Sequence, residues 1–409
     1  QISLSFISNT YNSSIFYFDC YLMKNIIVLG ATGSIGDSVL SVIKQNKNKL
    51  NLLGITFNSN ISKAKDIINE FKLKNVYTES NQSHEFLKHT FENNYELNIL
   101  RDKSELEELL NKDDVDIIVS AISGFAGLES TIMAAKTGKT ILLANKESIV
   151  VAGDIVLPMA NKHSTQIIPI DSEHNAIFQC LNSDKNTDDV SKIIITASGG
   201  PFLNKKISQL SKVTKKEALN HPNWEMGAKI TIDSASLVNK CLELIEAKYL
   251  FNLNEEFFDL VVHPQSIIHS IVTYTDGSSI CQMSNPDMRV PIAHALSLYD
   301  KRLSLNFSEI DFSSLKLTFE DIPEDRSELV NIARDICNLG GSSGTVFNAA
   351  NEIAVQSFLE EQITFDKIYE VIYRTFDAIP MSKNIDINTI YETDNQTRIE
   401  AKKVVKSIS

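Results

Sequence analysis

The chain holds five cysteines in 409 residues, and no two are spaced as Cys-x-x-Cys. Cys20, Cys180, Cys241, Cys281 and Cys337 are odd in number and far apart. That argues against a disulfide framework and a structural zinc site, and it suits a reducing compartment. Positive charge is also short: 39 Lys and Arg stand against 52 Asp and Glu, for a net charge of −13. Such a balance disfavours nonspecific binding to nucleic acid or an anionic membrane, and an anionic small substrate needs a locally basic pocket. No apolar run reaches the length of a membrane span, so a soluble protein with no membrane partner is expected. Residues 1–22 contain no Lys or Arg, which signal and transit peptides require; they are aromatic-rich and precede Met23. They read as a poorly ordered leader outside the first domain. None of the eleven tyrosines has a Lys four residues on, which disfavours a short-chain dehydrogenase.

The remaining composition is ordinary for a globular protein, at 43% hydrophobic and 22% charged. The length suits two or three domains. Lys24–Leu29 reads as a buried strand, followed by Gly30-Ala31-Thr32-Gly33-Ser34-Ile35-Gly36 and a helical pattern. Strand, glycine turn and helix are the context of a dinucleotide site: glycines let the backbone approach a pyrophosphate, and a helix N-terminus favours its charge. Asn51–Phe57 reads as the second strand. Its end carries Asn58-Ser59-Asn60 in place of the acid that grips the ribose of NAD, which leans towards NADP. Asp113–Ser120 and Thr140–Ala144 give further strands, the latter running into Asn145-Lys146-Glu147-Ser148. Strands alternating with helices predict an α/β fold with a doubly wound parallel sheet.

Gln166–Asn175, QIIPIDSEHN, is the stretch around which the rest is arranged. Its apolar start reads as a strand, with Pro169 a mild objection. In an extended chain Asp171 and Glu173 project together and Ser172 opposes them. Adjacent carboxylates repel unless a cation or proton lies between them. Most such triplets are solvated strand ends, but at the carboxyl end of a parallel strand, where open sheets bind ligands, the metal reading gains weight. Ser191–Thr196 is the next strand, and the Ser198-Gly199-Gly200 turn after it offers N–H groups and a hydroxyl to an anion. Residues 218–228 hold the one tryptophan, Trp224, with His221 and Gly227, in a polar loop suited to covering a ligand. Asp233–Phe251 is expected as one amphipathic helix, its Asn239, Lys240 and Glu243 clustered by helical spacing. Leu260–Tyr274 reads as strand-like with His263 and His269, residues 304–323 as a linker, and the chain from Glu324 as helices.

Together these motifs resemble those of the 1-deoxy-D-xylulose 5-phosphate reductoisomerases. GATGSIG, LANKES, PIDSEHNAIFQCL, SGGPF, HPNWEMGAKITIDSA, NKCLE, VVHPQSIIHS, NPDMRVPIAHAL and NAANEIAV fall in that family's order, covering roughly residues 24–400. The resemblance implies a Rossmann-like NADPH-binding domain, an α/β catalytic domain and a C-terminal helical bundle. The limits expected are 1–22 leader, 23–172 NADPH-binding, 173–303 catalytic, 304–323 linker and 324–409 helical. It further implies a homodimer that uses NADPH and Mg²⁺ or Mn²⁺ to isomerise and reduce deoxyxylulose phosphate to 2-C-methyl-D-erythritol 4-phosphate, in the bacterial cytoplasm or a plastid. By the same resemblance Asp171, Glu173 and Glu243 are metal ligands. Lys146, Ser172, Glu173, Ser198, His221, Trp224, Ser234, Asn239, Lys240 and Glu243 bind substrate, with Lys146 and His221 among the catalytic groups. Thr32, Gly33, Ser34, Ile35, Asn58, Ser59, Asn60, Asn145, Glu147 and Gly227 meet the cofactor. Two departures stand out: Cys241 where the family usually has Gly, and Ser59 where a basic residue often meets the 2′-phosphate. The competing readings are a plain NADP-dependent dehydrogenase and a nucleotide-sensing protein without chemistry. Metal dependence of turnover separates them.

Overall fold

Strand β1 (Lys24–Leu29) sets the first half of the molecule. Its Ile26 and Val28 face one core and Ile27 and Leu29 the other, all shielded from solvent. A strand apolar on both faces needs cover on both, which parallel strands joined by crossover helices supply. The computed structural model describes residues 23–181, 185–298 and 300–409; the expected leader at 1–22 lies outside them. β1 joins β2 (Leu50–Thr56), β3 (Asn75–Tyr77), β4 (Asn98–Leu100), β5 (Ile117–Ser120), β6 (Thr140–Leu143) and β7 (Gln166–Pro169). The result is a seven-stranded parallel sheet in the order β4-β3-β2-β1-β5-β6-β7. The order reverses between β1 and β5, so loops 30–35 and 121–125 diverge there and open the crevice where such sheets bind ligands.

A second sheet is mixed. β8 (Val190–Ala197) pairs in parallel with β9 (Phe258–Val262) and antiparallel with β10 (Ile268–Tyr274), which carries β11 (Ser279–Met283) on its outer side. The strand-like run expected over 260–274 is thus two strands split by a turn. In that turn the buried His263 shares a hydrogen bond between Nδ1 and the Thr318 carbonyl (2.8 Å), and its Nε2 lies 3.2 Å from the amides of Ile267 and Ile268. The expected single helix over 233–251 is also two helices. Ala228–Ser236 ends where Leu237 turns left-handed at φ 71°, and Val238–Phe251 begins after it.

The 304–323 stretch has no helix or strand beyond one bridge pairing Val262 with Glu320. It runs back across the first sheet's helices, where Asn46 Nδ2 donates to the Ser304 carbonyl. Helices Ser327–Leu339, Ser343–Leu359, Lys367–Ala378 and Ile387–Ile408 complete the chain. Helix Ser343–Leu359 is buried along most of its length and packs against helices Lys146–Lys162 and Ala228–Ser236. Its Gly344 permits backbone contact: a Cβ there would lie 2.0 Å from the Val150 carbonyl oxygen. Next to it, Thr345 Oγ1 donates to the Val151 carbonyl, just before the break in that helix at Ala152.

Candidate active site

The carboxyl ends of β1, β5, β6 and β7 and the face of β8 enclose one cleft of about 320 Å³. The glycine turn forms its upper wall. Gly30 sits at φ 83° and its amide donates to Thr56 Oγ1; Gly36 lies so close to Ala31 that a Cβ would meet its carbonyl oxygen at 2.2 Å. The turn therefore hugs the sheet, and helix Ser34–Gln45 aims its N-terminus at the cleft. Ser34 and Ile35 line it. Thr32 and Gly33 lie just beyond, where Lys63 Nζ donates to the Thr32 carbonyl (3.0 Å) and pairs with Asp37 (2.6 Å). Asn58, Ser59 and Asn60 are exposed at the end of β2, outside the main cleft. Asn60 caps the next helix by accepting from the Lys63 amide.

The lower wall is a cluster of charge. Asp171, Glu173 and Glu243 each offer a carboxylate oxygen, all within 4.8 Å of one another. They meet by a route other than the expected extended pair. β7 ends at Pro169, and Asp171 is the N-cap of helix Ser172–Cys180, its Oδ1 accepting from the Glu173 amide. Glu173 occupies the helix's first turn, because an Asp followed by a helical sequence satisfies free amides better as a cap than as a strand residue. Ser172 is drawn to the same side, its hydroxyl 2.5 Å from Glu173 Oε2.

Two ammonium groups lie among the three carboxylates. Lys146 Nζ is 2.5 Å from Asp171 Oδ2, 3.0 Å from Glu243 Oε1 and 3.1 Å from Asn239 Oδ1. Lys240 Nζ is 2.9 Å from Glu173 Oε1 and 2.5 Å from Glu243 Oε2. The polar side of helix Val238–Phe251 is therefore no solvated surface: Lys240, Glu243 and Glu246 are all buried. Burial works against the Lys146 charge, but Asp171 and Glu243 outweigh it and hold its pKa well above the ordinary lysine value. Burial likewise raises Glu243, and repulsion from Asp171 and Glu173 raises it further. That residual repulsion is what a bound cation relieves.

On the side formed by β8, Ser198 Oγ lies 2.9 Å and Ser234 Oγ 3.1 Å from the same atom, His221 Nε2. His221 Nδ1 accepts from the amides of Asn223 and Trp224, so Nε2 carries the proton and the ring is neutral. Burial lowers its pKa to about 4, in keeping with this tautomer. Those two amides also fix the loop, and Asn223 Nδ2 anchors it to the Pro264 carbonyl and to Ser266. Trp224 lies over the cleft with its ring centroid 5.9 Å from that of His269. Gly227 caps helix Ala228–Ser236 and lines the cleft beside the glycine turn, where a Cβ on it would lie 4.0 Å from Ser34 Oγ.

The sequence alone assigns no role to His174, which stands in the PIDSEHNAIFQCL motif, or to Glu246, which lies on the expected helix over 233–251. His174 is fully enclosed, its Nε2 donating to the Glu243 carbonyl (2.9 Å). Its Nδ1 lies 2.9 Å from Glu246 Oε2 and 3.3 Å from Asp171 Oδ1, close enough for ion pairing though off the line of a hydrogen bond. Burial opposes its charge, but Glu246 and Asp171 raise its pKa well above normal. The available signal was spacing: Glu246 is three residues beyond Glu243, on the same helical face. Cys241, the departure from the family pattern, is buried in the large core with Sγ 3.6 Å from the Leu329 carbonyl, away from the carboxylates.

The family model described as 1-deoxy-D-xylulose 5-phosphate reductoisomerase matches residues 26–153, and two models of that enzyme's C-terminal domain match 167–251 and 283–400. A 1-deoxy-D-xylulose 5-phosphate reductoisomerase of Acinetobacter baumannii is 42% identical over 398 residues, covering 95% of this chain and 100% of its own. One from Francisella tularensis subsp. holarctica is 43% identical over 376 residues, covering 91% and 96%. Among solved structures, a DOX-P reductoisomerase in complex with NADPH, fosmidomycin and magnesium superposes with a TM-score of 0.87 at 39% identity, covering 94% of this chain and 98% of that one. The Zymomonas mobilis enzyme in complex with NADPH gives 0.87 at 38% identity, covering 95% and 100%.

Proposed function

The chain belongs to the 1-deoxy-D-xylulose 5-phosphate reductoisomerase family, and we propose that its own Asp171, Glu173 and Glu243 hold the cation while Lys146 holds the substrate beside it. The protein isomerises and reduces 1-deoxy-D-xylulose 5-phosphate to 2-C-methyl-D-erythritol 4-phosphate, with NADPH and a divalent cation. The observation that carries the site assignment is the convergence of three carboxylates from two helices, with two ammonium groups between them.

The donor set fits the ion. Three carboxylates are hard oxygen ligands of the kind Mg²⁺ and Mn²⁺ take, and among the described residues no cysteine lines the cleft to favour zinc. When bound, the cation supplies Lewis-acid polarisation of the substrate's ketone and hydroxyl oxygens during the carbon–carbon rearrangement. NADPH supplies the hydride. Lys146 places a positive charge on the reacting oxygen, and Asn239 orients that ammonium through its amide oxygen. Ser198, Ser234, Asn239 and Lys240 receive the phosphate end. There the neutral His221 donates its Nε2 proton to the two serine oxygens, which leaves their hydroxyl hydrogens free to donate to a phosphate. Trp224 excludes water above the site, which matters for any enediolate exposed there. Ser34, Ile35, Asn145, Glu147 and Gly227 take the cofactor's nicotinamide and pyrophosphate parts, and residues 58–60 its adenosine end.

The proposed domain limits are 23–172, 173–303, 304–323 and 324–409. β7 completing the first sheet and β8 opening the second support the first of them. The proposed assembly is a homodimer, read by sedimentation. The cysteines described, Cys180, Cys241, Cys281 and Cys337, are all free thiols, which supports a reducing compartment. No helix among the described residues is long and apolar enough to cross a membrane.

The test is NADPH oxidation with deoxyxylulose phosphate, with and without a chelator, and identification of the product. Methylerythritol phosphate formed only with Mg²⁺ or Mn²⁺ is the expected result. Turnover unaffected by a chelator would return the plain dehydrogenase.

A further inference from the structure

Outside the residues assigned above, two neighbours on one C-terminal helix reach both walls of the cleft. Glu352 Oε1 accepts from the Phe125 amide (2.9 Å) and from Asn348 Nδ2 (3.1 Å), and its Oε2 pairs with Arg398 at 2.5 Å. Its carboxylate lies against Gly124, which has φ 73°; a Cβ at that position would come within 2.7 Å of Oε1. Gly124 passes the contact on, since its carbonyl accepts from Asn145 Nδ2 (3.0 Å), and the same amide donates to Glu147 Oε2 (3.1 Å). Glu147 Oε1 pairs with Lys229 (2.8 Å), and Lys229 with Asp233 (2.9 Å). Asp233 Oδ1 then accepts from the amide of Asn351 (2.8 Å), the residue beside Glu352. The polar contacts form a closed circuit that leaves helix Ser343–Leu359 at Glu352 and returns at Asn351.

Each side of the circuit carries a different part of the site. The Glu352 side holds loop 121–125, whose Ala121, Ile122 and Ser123 line the cleft at the crevice between β1 and β5. The Asn351 side holds helix Ala228–Ser236, which carries Ser234. The members are well enclosed: the Asp233 side chain is 2% exposed, Glu147 9% and Glu352 17%. Charge-assisted bonds in such surroundings are short and strongly directional. Burial raises the Glu147 carboxyl, but the Lys229 ammonium more than offsets this, so it stays ionised and keeps both contacts. The opposite side of Phe125 is packed by Tyr391, edge-on with centroids 5.4 Å apart, and by the Arg398 guanidinium 5.8 Å from its ring centre.

We propose that Glu352 and Asn351 are positioning residues with separate duties: Glu352 sets the cofactor wall and Asn351 the sugar-phosphate wall. The proposal rests on the reading of the cleft given above. The test compares Glu352→Ala, Glu352→Gln and Asn351→Ala in the full-length protein. NADPH binding is read from the cofactor's own fluorescence, without turnover, and KM for deoxyxylulose phosphate is measured separately. Loss of one charge-assisted bond in Glu352→Ala should weaken NADPH about tenfold, and Glu352→Gln, which can still accept from Phe125, about threefold. Asn351→Ala should raise KM for the sugar phosphate about fivefold and leave NADPH affinity within about twofold. Equal weakening of both ligands in every variant, in step with lowered thermal stability, would mean a structural role only and overturn the proposal. So would NADPH affinity unchanged in both Glu352 variants. Absence of sugar-phosphate-dependent NADPH oxidation by the unaltered protein would instead sink the reading of the cleft.

Discussion

Replacing Glu243 by Gln keeps the shape of the side chain and removes one charge from the centre of the cluster. Three carboxylates against the ammonium groups of Lys146 and Lys240 leave one net negative charge; Glu243→Gln cancels it. The fold survives, because Lys146 keeps Asp171 and Lys240 keeps Glu173. A buried ammonium stripped of every partner would cost about 3–5 kcal/mol, and neither is stripped. Ion binding is affected more. At an effective dielectric of about 20, unit charges about 4 Å apart interact by about 4 kcal/mol, and a divalent ion feels at least that. Affinity for Mn²⁺ should therefore fall by roughly a thousandfold. NADPH affinity should stay within about twofold, since the hydrogen bonds of the Glu243 carboxylate run to Lys146, Asn239 and Lys240 and not to the glycine turn. The assay is Mn²⁺ titration followed by electron paramagnetic resonance, with NADPH binding measured on the same samples and turnover at limiting Mn²⁺. Most activity should be lost. An Mn²⁺ affinity within tenfold of the unaltered protein, or near-normal turnover at limiting Mn²⁺, would refute the reasoning.

Trp224 should become shielded when the loop closes, so adding a substrate analogue with metal should change the emission of this sole tryptophan; no change at saturation, with binding confirmed independently, counts against the cover role. Ser59→Lys should widen the NADPH-to-NADH ratio of kcat/KM by about tenfold if one exposed charge-assisted bond is gained. An unchanged ratio would move that contact to Lys63, which already stands over the Thr32 carbonyl. Acid should destabilise the protein through its buried neutral histidines. Burial lowers the His269 pKa to about 4, so the unfolded chain takes up a proton below the ordinary value of 6.5 while the folded chain does not. Its share of stability is complete above pH 6.5 and falls as pH drops towards 4, by about 3 kcal/mol at most. Urea midpoints should converge at pH 7.5 and 4.5 in His269→Gln relative to the unaltered protein; an identical pH dependence in the two would discount this account.

Much of the site was legible because it is carried by short, local patterns. The glycine turn sits between an apolar strand and a helix, and Asp171 and Glu173 are two residues apart, so their proximity hardly depends on tertiary structure. The strand reading of that pair nevertheless gave way to a helix cap, since whether a residue after Ile170 continues the strand depends on amides that only the fold leaves unpaired. β3 and β4 span three residues each, too few for a period to register. Leu237 offers no sign of its left-handed turn, as leucine rarely adopts one. The charged face of helix Val238–Phe251 looks like a solvated surface until the first sheet's loops are folded over it. Glu352 lies 227 residues from the amide it holds, a distance that no local pattern spans.

The two oxygens of Asp171 have different employers. Oδ1 is committed to the free amides at the start of helix Ser172–Cys180, while Oδ2 faces Lys146 and the other carboxylates. Asparagine caps a helix as well as aspartate does, and its carbonyl oxygen can take over the first duty without the charge that the second requires. At this position architecture and chemistry are therefore separable by a single atom. Asp171→Asn marks the shortest path by which the chain keeps its shape and becomes blind to ions, a natural starting point for a copy that retains cofactor binding after losing the reaction.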